Sequence, residues 1–165
     1  MKNTILKACA GFALALIGIN AAAQQLPVCI NHITGYQVPI ITNAGQSNPA
    51  YSTLDPRTGS PEIFLNIPVL QNLGIDTSPY TLTFIVEHEC GHVNLGHLTT
   101  GPVPRKKTNQ EELAADCYAA HAVKKLGFNQ SMLHYVLIDV DKLPKDPDHP
   151  AGIVRAANIV KCFGK

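Results

Sequence analysis

Residues 86–98 read VEHECGHVNLGHL and place His88, Glu89 and His92 in an HExxH pattern. If this segment is helical, positions i and i+4 lie on one face, so both histidines can bind one metal ion. Glu89 lies about 100° around the helix from His88, beside the metal. There it can accept a proton from a water molecule that the metal activates. The pattern predicts a hydrolytic centre with one Zn²⁺ per chain, since Zn²⁺ suits imidazole and carboxylate ligands.

The third histidine of this segment, His97, does not complete the ligand set. It follows His88 by nine residues, which places it on the far face of a helix. The metzincin pattern requires a histidine six residues after the second ligand, and that position is Leu98. We therefore interpret His97 as a capping or packing residue near the end of the helix.

A better third ligand lies downstream, in NQEELAADCYAAHAV. Glu112 and Asp116 are four residues apart, so one helix face can direct both into one site. Glu112 would bind the metal, and Asp116 would accept a hydrogen bond from the outer nitrogen of a ligand histidine. Glu111 is the alternative ligand, and acids in a first helical turn also simply favour the helix dipole. A surface of small residues would allow close packing of the two helices: Ala114, Ala115, Ala119 and Ala120.

Three motifs together resemble those of the gluzincin metallopeptidases, in particular the minimal minigluzincin domains. HExxH is followed by ExxAD at residues 112–116 and by HPxxxxR at residues 149–155. The resemblance covers roughly residues 60–160. It implies a zincin-like domain in which the histidines of the HExxH pattern and Glu112 bind zinc, Glu89 is the general base, and Asp116 supports a ligand.

The same resemblance implies roles for three further parts of the chain. It places His149 and Arg155 near the cleft, where His149 would stabilise the oxyanion of the tetrahedral intermediate. It also makes residues 62–67 an edge strand that pairs with an extended substrate backbone. The expected activity is that of a zinc metalloendopeptidase acting on a peptide or protein. Many related peptidases are membrane-embedded, whereas no transmembrane segment is expected here after signal removal.

The elements that position these residues indicate one α+β domain, with a small antiparallel or mixed sheet packed on the HExxH helix. Residues 36–41 are predicted to form a strand, and residues 50–67 a hairpin with its turn at 55–59. Ser78 and Pro79 begin a helix that we expect to reach residue 98. Thr108 or Asn109 caps a second helix, Asn129 caps a third that reaches residue 142, and residues 151–162 form the last.

Residues 1–23 have the three parts of a secretory signal peptide: two lysines, an apolar run and a small-residue cleavage site. Residues 24–165 then form the mature domain, exported to a bacterial-type periplasm or secreted. Removing Lys2 and Lys7 from the 13 basic residues leaves 11 against 12 acidic ones. Because there is no basic cluster, we expect no nucleic-acid partner. Cys9 is a weak lipoprotein candidate.

Four cysteines remain in the mature chain, which suggests up to two disulfides with three alternative connectivities. We favour Cys29–Cys162 between the termini and Cys90–Cys117 between the two metal-site helices. Cys90 lies about 200° from His88 and is not expected to bind the metal. The remaining histidines are expected to be structural: His32, His121 and His134.

Other functions fit parts of this sequence. A catalytically inactive gluzincin-like domain would bind a peptide or a partner, but it would not need Glu89. A disulfide-bonded structural or adhesion domain would make HExxH accidental, which the two downstream motifs argue against. Among enzymes, a hydrolase of peptidoglycan peptides would use the same chemistry.

Overall fold

A computed structural model describes residues 27–42, 47–99, 106–143 and 149–165. These residues form an α+β fold of three strands and five helices, which confirms the expected class. The strands are β1 (Ile40–Thr42), β2 (Ala50–Leu54) and β3 (Pro61–Leu65). The helices are α1 (Ile67–Asn72), α2 (Pro79–Asn94), α3 (Asn109–Lys125), α4 (Gln130–Asp141) and α5 (Gly152–Phe163).

The sheet has the order β1-β3-β2, with β3 parallel to β1 and antiparallel to β2. The prediction that residues 62–67 form an edge strand is wrong, because β3 lies between the other two strands. The parallel pairing with β1 joins distant segments and leaves no local signature in the sequence. The strand also ends earlier than predicted, because the Asn66 side chain accepts a hydrogen bond from Val69 N–H and begins α1.

Residues at the helix ends mark where α2 and α3 begin and where α2 ends, although the Ser78 side chain makes no capping hydrogen bond. Helix α2 begins at Pro79 after the N-cap Ser78, as predicted, but ends at Asn94 instead of residue 98. The chain leaves the helix at Gly96, whose φ of 72° is a conformation that glycine adopts without strain. Helix α3 begins with a capping box between Thr108 and Glu111.

Helix α2 is the centre of the fold. It packs against α3, α4, β2 and β3, and nearly every residue from Leu82 to Val93 is buried. On the sheet side, Ile63 and Leu65 are fully buried against it. A second core on the other side joins α3, α4 and α5 around Phe84, Val123 and Ile159. The HExxH segment therefore lies in the interior, where a charged side chain requires a partner.

The structure pairs the four cysteines differently from the prediction. Cys29 bonds Cys90, and Cys117 bonds Cys162. The favoured pairing, Cys29–Cys162 and Cys90–Cys117, is wrong because Cys90 faces the sheet side of α2, whereas Cys117 faces α5. Cys90 is buried, as expected for a residue that points away from the metal. Two disulfides are typical of proteins in oxidising compartments.

The predicted signal peptide, residues 1–23, lies outside the described residues, as does Cys9. Within the described part of the chain, no helix combines the length and the apolar character that crossing a membrane requires.

Loss of one disulfide should destabilise the fold strongly. Cys117 and Cys162 are 45 residues apart. Closing a loop of that length lowers the entropy of the unfolded chain, which stabilises the folded protein by about 4 kcal/mol. We expect the double variant Cys117→Ala/Cys162→Ala to lose about that much free energy of unfolding, measured by urea denaturation.

Peptide mapping of the oxidised wild type should yield Cys29–Cys90 and Cys117–Cys162 fragments. A Cys29–Cys162 fragment would contradict this connectivity.

Candidate metal centre

The site begins with the close approach of α2 and α3 at Gly91, inside the HExxH pattern. A Cβ atom at this position would lie 3.2 Å from Ala115 Cα and 3.1 Å from Tyr118 Cβ, which is closer than ordinary contact. Ala115 is itself fully buried. The missing side chain at Gly91 and the small one at Ala115 thus let the two helices pass near enough for their polar side chains to meet.

His88, His92 and Glu112 meet at this crossing and form a buried group that could hold a metal ion. The Nε2 atoms of the two histidines are 3.2 Å apart. Glu112 Oε2 lies 3.2 Å from His88 Nε2, and Glu112 Oε1 lies 3.2 Å from His92 Nε2. Among the described residues, this is the one group of three or more potential ligands found so close together.

The spacing of these donor atoms fits a small tetrahedral ion. Zinc binds imidazole nitrogen and carboxylate oxygen at about 2.0–2.1 Å, so two ligands of a tetrahedral site lie about 3.3–3.4 Å apart. The two Nε2 atoms are 3.2 Å apart, which is close to that value, and each of them has a different oxygen of Glu112 at 3.2 Å. The donor set of two imidazoles and one carboxylate is also one that zinc uses in catalytic sites with an open fourth position. The residues present therefore fit the group that the sequence predicts.

The surroundings of the two histidines shift their pKa values in opposite directions. Burial would lower the pKa of His88, but hydrogen bonds to Asp116 and Glu112 outweigh it and raise the pKa to about 9. Burial lowers the pKa of His92 to about 4. Burial also opposes ionisation of Glu112, yet hydrogen bonds to the two histidines bring its pKa far below the usual range. Glu112 is therefore an ionised carboxylate, as a metal ligand must be.

Asp116 supports His88 from the side opposite to Glu112. Its Oδ1 lies 2.9 Å from His88 Nδ1, so the outer ring nitrogen donates to the carboxylate. Arg155 on α5 donates to both oxygens of Asp116, with its Nη2 2.7 Å from Oδ1 and its Nε 3.0 Å from Oδ2. All three side chains are buried. Arg155 therefore lies buried behind the ligands, where it holds Asp116 and also brings its Nη2 to 3.3 Å from His88 Nδ1.

Glu89 lies beside the ligand group and is held by two residues that the sequence analysis did not identify. Ser52 on β2 donates its hydroxyl to Glu89 Oε2 at 2.8 Å, and Lys107 Nζ lies 3.7 Å from the same oxygen. Burial opposes ionisation of Glu89, but Lys107, the two histidines and the Ser52 hydrogen bond lower its pKa below the usual value. Both partners are distant in sequence, so no local pattern pointed to them.

The structure distinguishes Glu112 from the alternative ligand Glu111 and places His149 at the exposed edge of the ligand group. Glu111 accepts a hydrogen bond from Thr108 N–H in the capping box and so is committed to the helix end. His149 Nε2 lies 3.7 Å from Glu112 Oε2 with nearly half of its side chain exposed.

The ring of His97 lies behind His92 and is outside the ligand group. The three remaining histidines, at positions 32, 121 and 134, are exposed and are likewise outside it.

Comparisons of the chain with protein-family models, with curated proteins and with solved structures found no match. The geometry of the centre therefore carries the functional argument.

The buried pair of Asp116 and Arg155 should be required for stability. Arg155→Met would remove a buried cation that donates to both oxygens of Asp116, and breaking a buried ion pair typically costs about 3–5 kcal/mol. We expect a loss of that size in the free energy of unfolding of metal-free protein, measured by urea denaturation. Arg57→Met is the matched control, because Arg57 pairs with Asp55 at the surface and is 86% exposed. That change should cost much less than Arg155→Met, because solvent screens a surface ion pair. Equal small losses in the two variants would contradict the role assigned to Arg155.

Proposed function

We propose that this protein is a zinc-dependent peptidase of the gluzincin type, with a zincin-like active-site domain. The observation that carries the proposal is the placement of an ionised Glu89 beside a buried His88, His92 and Glu112 group whose donor spacing suits zinc. A merely structural zinc site is normally closed by four protein ligands, whereas this group offers three. Three protein ligands would leave the fourth position of a tetrahedral zinc ion to a water molecule.

Zinc bound in this group would acidify a water molecule and polarise the carbonyl of the scissile bond. Glu89 accepts the proton of that water and passes it to the leaving amine. Ser52 orients the Glu89 carboxylate during both transfers, and Lys107 holds it before a substrate docks. His149 is placed at the rim, next to Glu112, where a half-exposed imidazole can donate a hydrogen bond to the developing oxyanion.

The substrate would dock as an extended strand along β2. At the two ends of the β2–β3 pairing, Asp55 N–H donates to Ser60 C=O and Asn66 N–H donates to Pro49 C=O. Because hydrogen-bonded pairs alternate along an antiparallel ladder, the odd-numbered residues of β2 form the backbone hydrogen bonds to β3. The even-numbered residues Ala50, Ser52 and Leu54 therefore direct their backbone N–H and C=O groups away from the sheet. Ser52 also contacts the proposed base through its side chain. A peptide paired with this edge would thus pass directly beside Glu89.

The space along this edge is narrow. A cavity of about 20 Å³, roughly the room of one water molecule, separates Ser52 and Thr53 from His97 and Lys107. A docked peptide would take the place where the Lys107 side chain lies. Main-chain pairing reads no particular side chains, so we expect modest sequence selectivity.

Export is part of the proposal. The two disulfides suit an oxidising compartment such as the periplasm or the extracellular space. The sequence of residues 1–23 would direct the chain there as a signal peptide.

The test is metal analysis combined with a peptidase assay on wild type and Glu89→Gln. We expect one zinc per chain in both proteins, because Glu89 does not belong to the ligand group. Activity on an unstructured peptide library should vanish with a chelator and return with zinc. In Glu89→Gln, kcat/KM should fall at least about 100-fold through loss of the base. Zinc-free protein of normal fold would exclude the metal centre, and bound zinc without activity would favour a peptide- or partner-binding domain.

Two neighbouring glutamates give a matched test of the ligand assignment. Glu112→Gln should weaken zinc binding by more than about 100-fold, since a neutral amide replaces an anionic ligand. Glu111→Gln should leave zinc binding unchanged, because glutamine can replace glutamate in the capping box. Competition with a fluorescent chelator measures both affinities. The reverse ranking would assign the ligand to Glu111.

A further inference from the structure

The third histidine of the HExxH segment contacts the second one in the folded protein. His97 Nδ1 lies 2.9 Å from His92 Nδ1, and the two rings are tilted by 61°. This is the hydrogen-bonding distance between two ring nitrogens, of which one must donate and the other accept. His92 directs its other nitrogen, Nε2, toward His88 and Glu112.

The end of α2 places His97 there. Gly96 N–H donates to Val93 C=O and His97 N–H donates to His92 C=O, which is the Schellman pattern of a helix end. In that pattern the residue after the glycine folds back over the last full turn of the helix, and the side chains at these two positions meet. The positive φ of Gly96 thus brings His97 to His92, although helical periodicity would place it on the far face.

We propose that His97 is a positioning residue for the metal centre and holds His92 in the tautomer that binds metal through Nε2. This inference rests on the metal-binding part of the proposed function. A neutral histidine that binds metal through Nε2 carries its proton on Nδ1. His92 Nδ1–H then donates to His97 Nδ1, which fixes the orientation of the ring as well as its tautomer.

The two ligand histidines are therefore supported in different ways. Asp116, a carboxylate paired with Arg155, accepts from His88 Nδ1. His97 offers His92 a neutral acceptor, which fixes the ring without adding negative charge to a site that already holds three buried carboxylates: Glu89, Glu112 and Asp116. The rings of both ligand histidines are thus held in place, and only one of the two supporting groups carries a negative charge.

The test compares two isosteric replacements of His97 by their zinc affinity. In His97→Asn, the side-chain oxygen takes nearly the place of Nδ1 and can still accept the proton. His97→Leu has a similar shape and no acceptor. We expect His97→Leu to bind zinc about 10–100-fold more weakly than wild type and His97→Asn to remain within about threefold. His134→Leu, at an exposed position on α4, serves as the control and should leave the affinity unchanged.

Zinc affinity is measured by chelator competition, so the result does not depend on peptidase activity. Equal zinc affinity of His97→Leu and wild type would overturn the proposal. Equal weakening in His97→Leu and His97→Asn would also overturn it, because packing and not the hydrogen bond would then be responsible. If no wild-type protein binds zinc at all, the proposed metal centre fails before this inference is reached.

A nuclear magnetic resonance experiment on zinc-loaded, ¹⁵N-labelled protein tests the hydrogen bond itself. We expect His92 to carry its proton on Nδ1 and to show a ¹⁵N–¹⁵N scalar coupling across the hydrogen bond to His97 Nδ1. The coupling should disappear in His97→Leu. A His92 proton on Nδ1 that exchanges rapidly with solvent and shows no coupling in the wild type would contradict the role of His97.

Discussion

The metal centre depends on how closely α2 and α3 pass each other. Helix α2 carries two of the three potential ligands, and α3 carries the third. The crossing point lies at Gly91 and Ala115, where one additional Cβ atom would come within 3.2 Å of backbone. A glycine costs a helix interior up to about 1 kcal/mol relative to alanine. With this helix spacing, the Nε2 atoms of His88 and His92 lie 3.2 Å apart, and each lies 3.2 Å from one carboxylate oxygen of Glu112.

Burial of so many ionisable groups requires the rest of the fold to supply partners. An unpaired carboxylate in the interior would be neutralised or would destabilise the structure. Helix α5 supplies Arg155 to Asp116, and β2 supplies Ser52 to Glu89. The end of α2 turns back to support its own histidine. Helix α5, strand β2 and the end of α2 thus each contribute a polar group that supports the centre.

The sequence predicted those features that are decided within a few turns of chain. The start of α2 at Pro79 and the capping of α3 were predicted correctly, since proline at a first helical position and a capping box both act on the adjacent turn. Helical periodicity also predicted that four side chains lie on facing surfaces of α2 and α3, and the structure has them there: His88, His92, Glu112 and Asp116. The central position of β3 and the pairing of the cysteines were predicted wrongly, because both depend on segments that are far apart in the chain. The contacts of Ser52 and Lys107 with Glu89 were missed for the same reason.

The central claim is that two imidazoles and one carboxylate hold a zinc ion with one open position. X-ray absorption at the zinc edge of the purified protein tests it most directly, because it reports the atoms bound to the metal. We expect four nitrogen or oxygen neighbours at about 2.0–2.1 Å, with the outer-shell scattering of two imidazole rings. A sulfur neighbour at about 2.3 Å, or a zinc bound by oxygen alone, would contradict it.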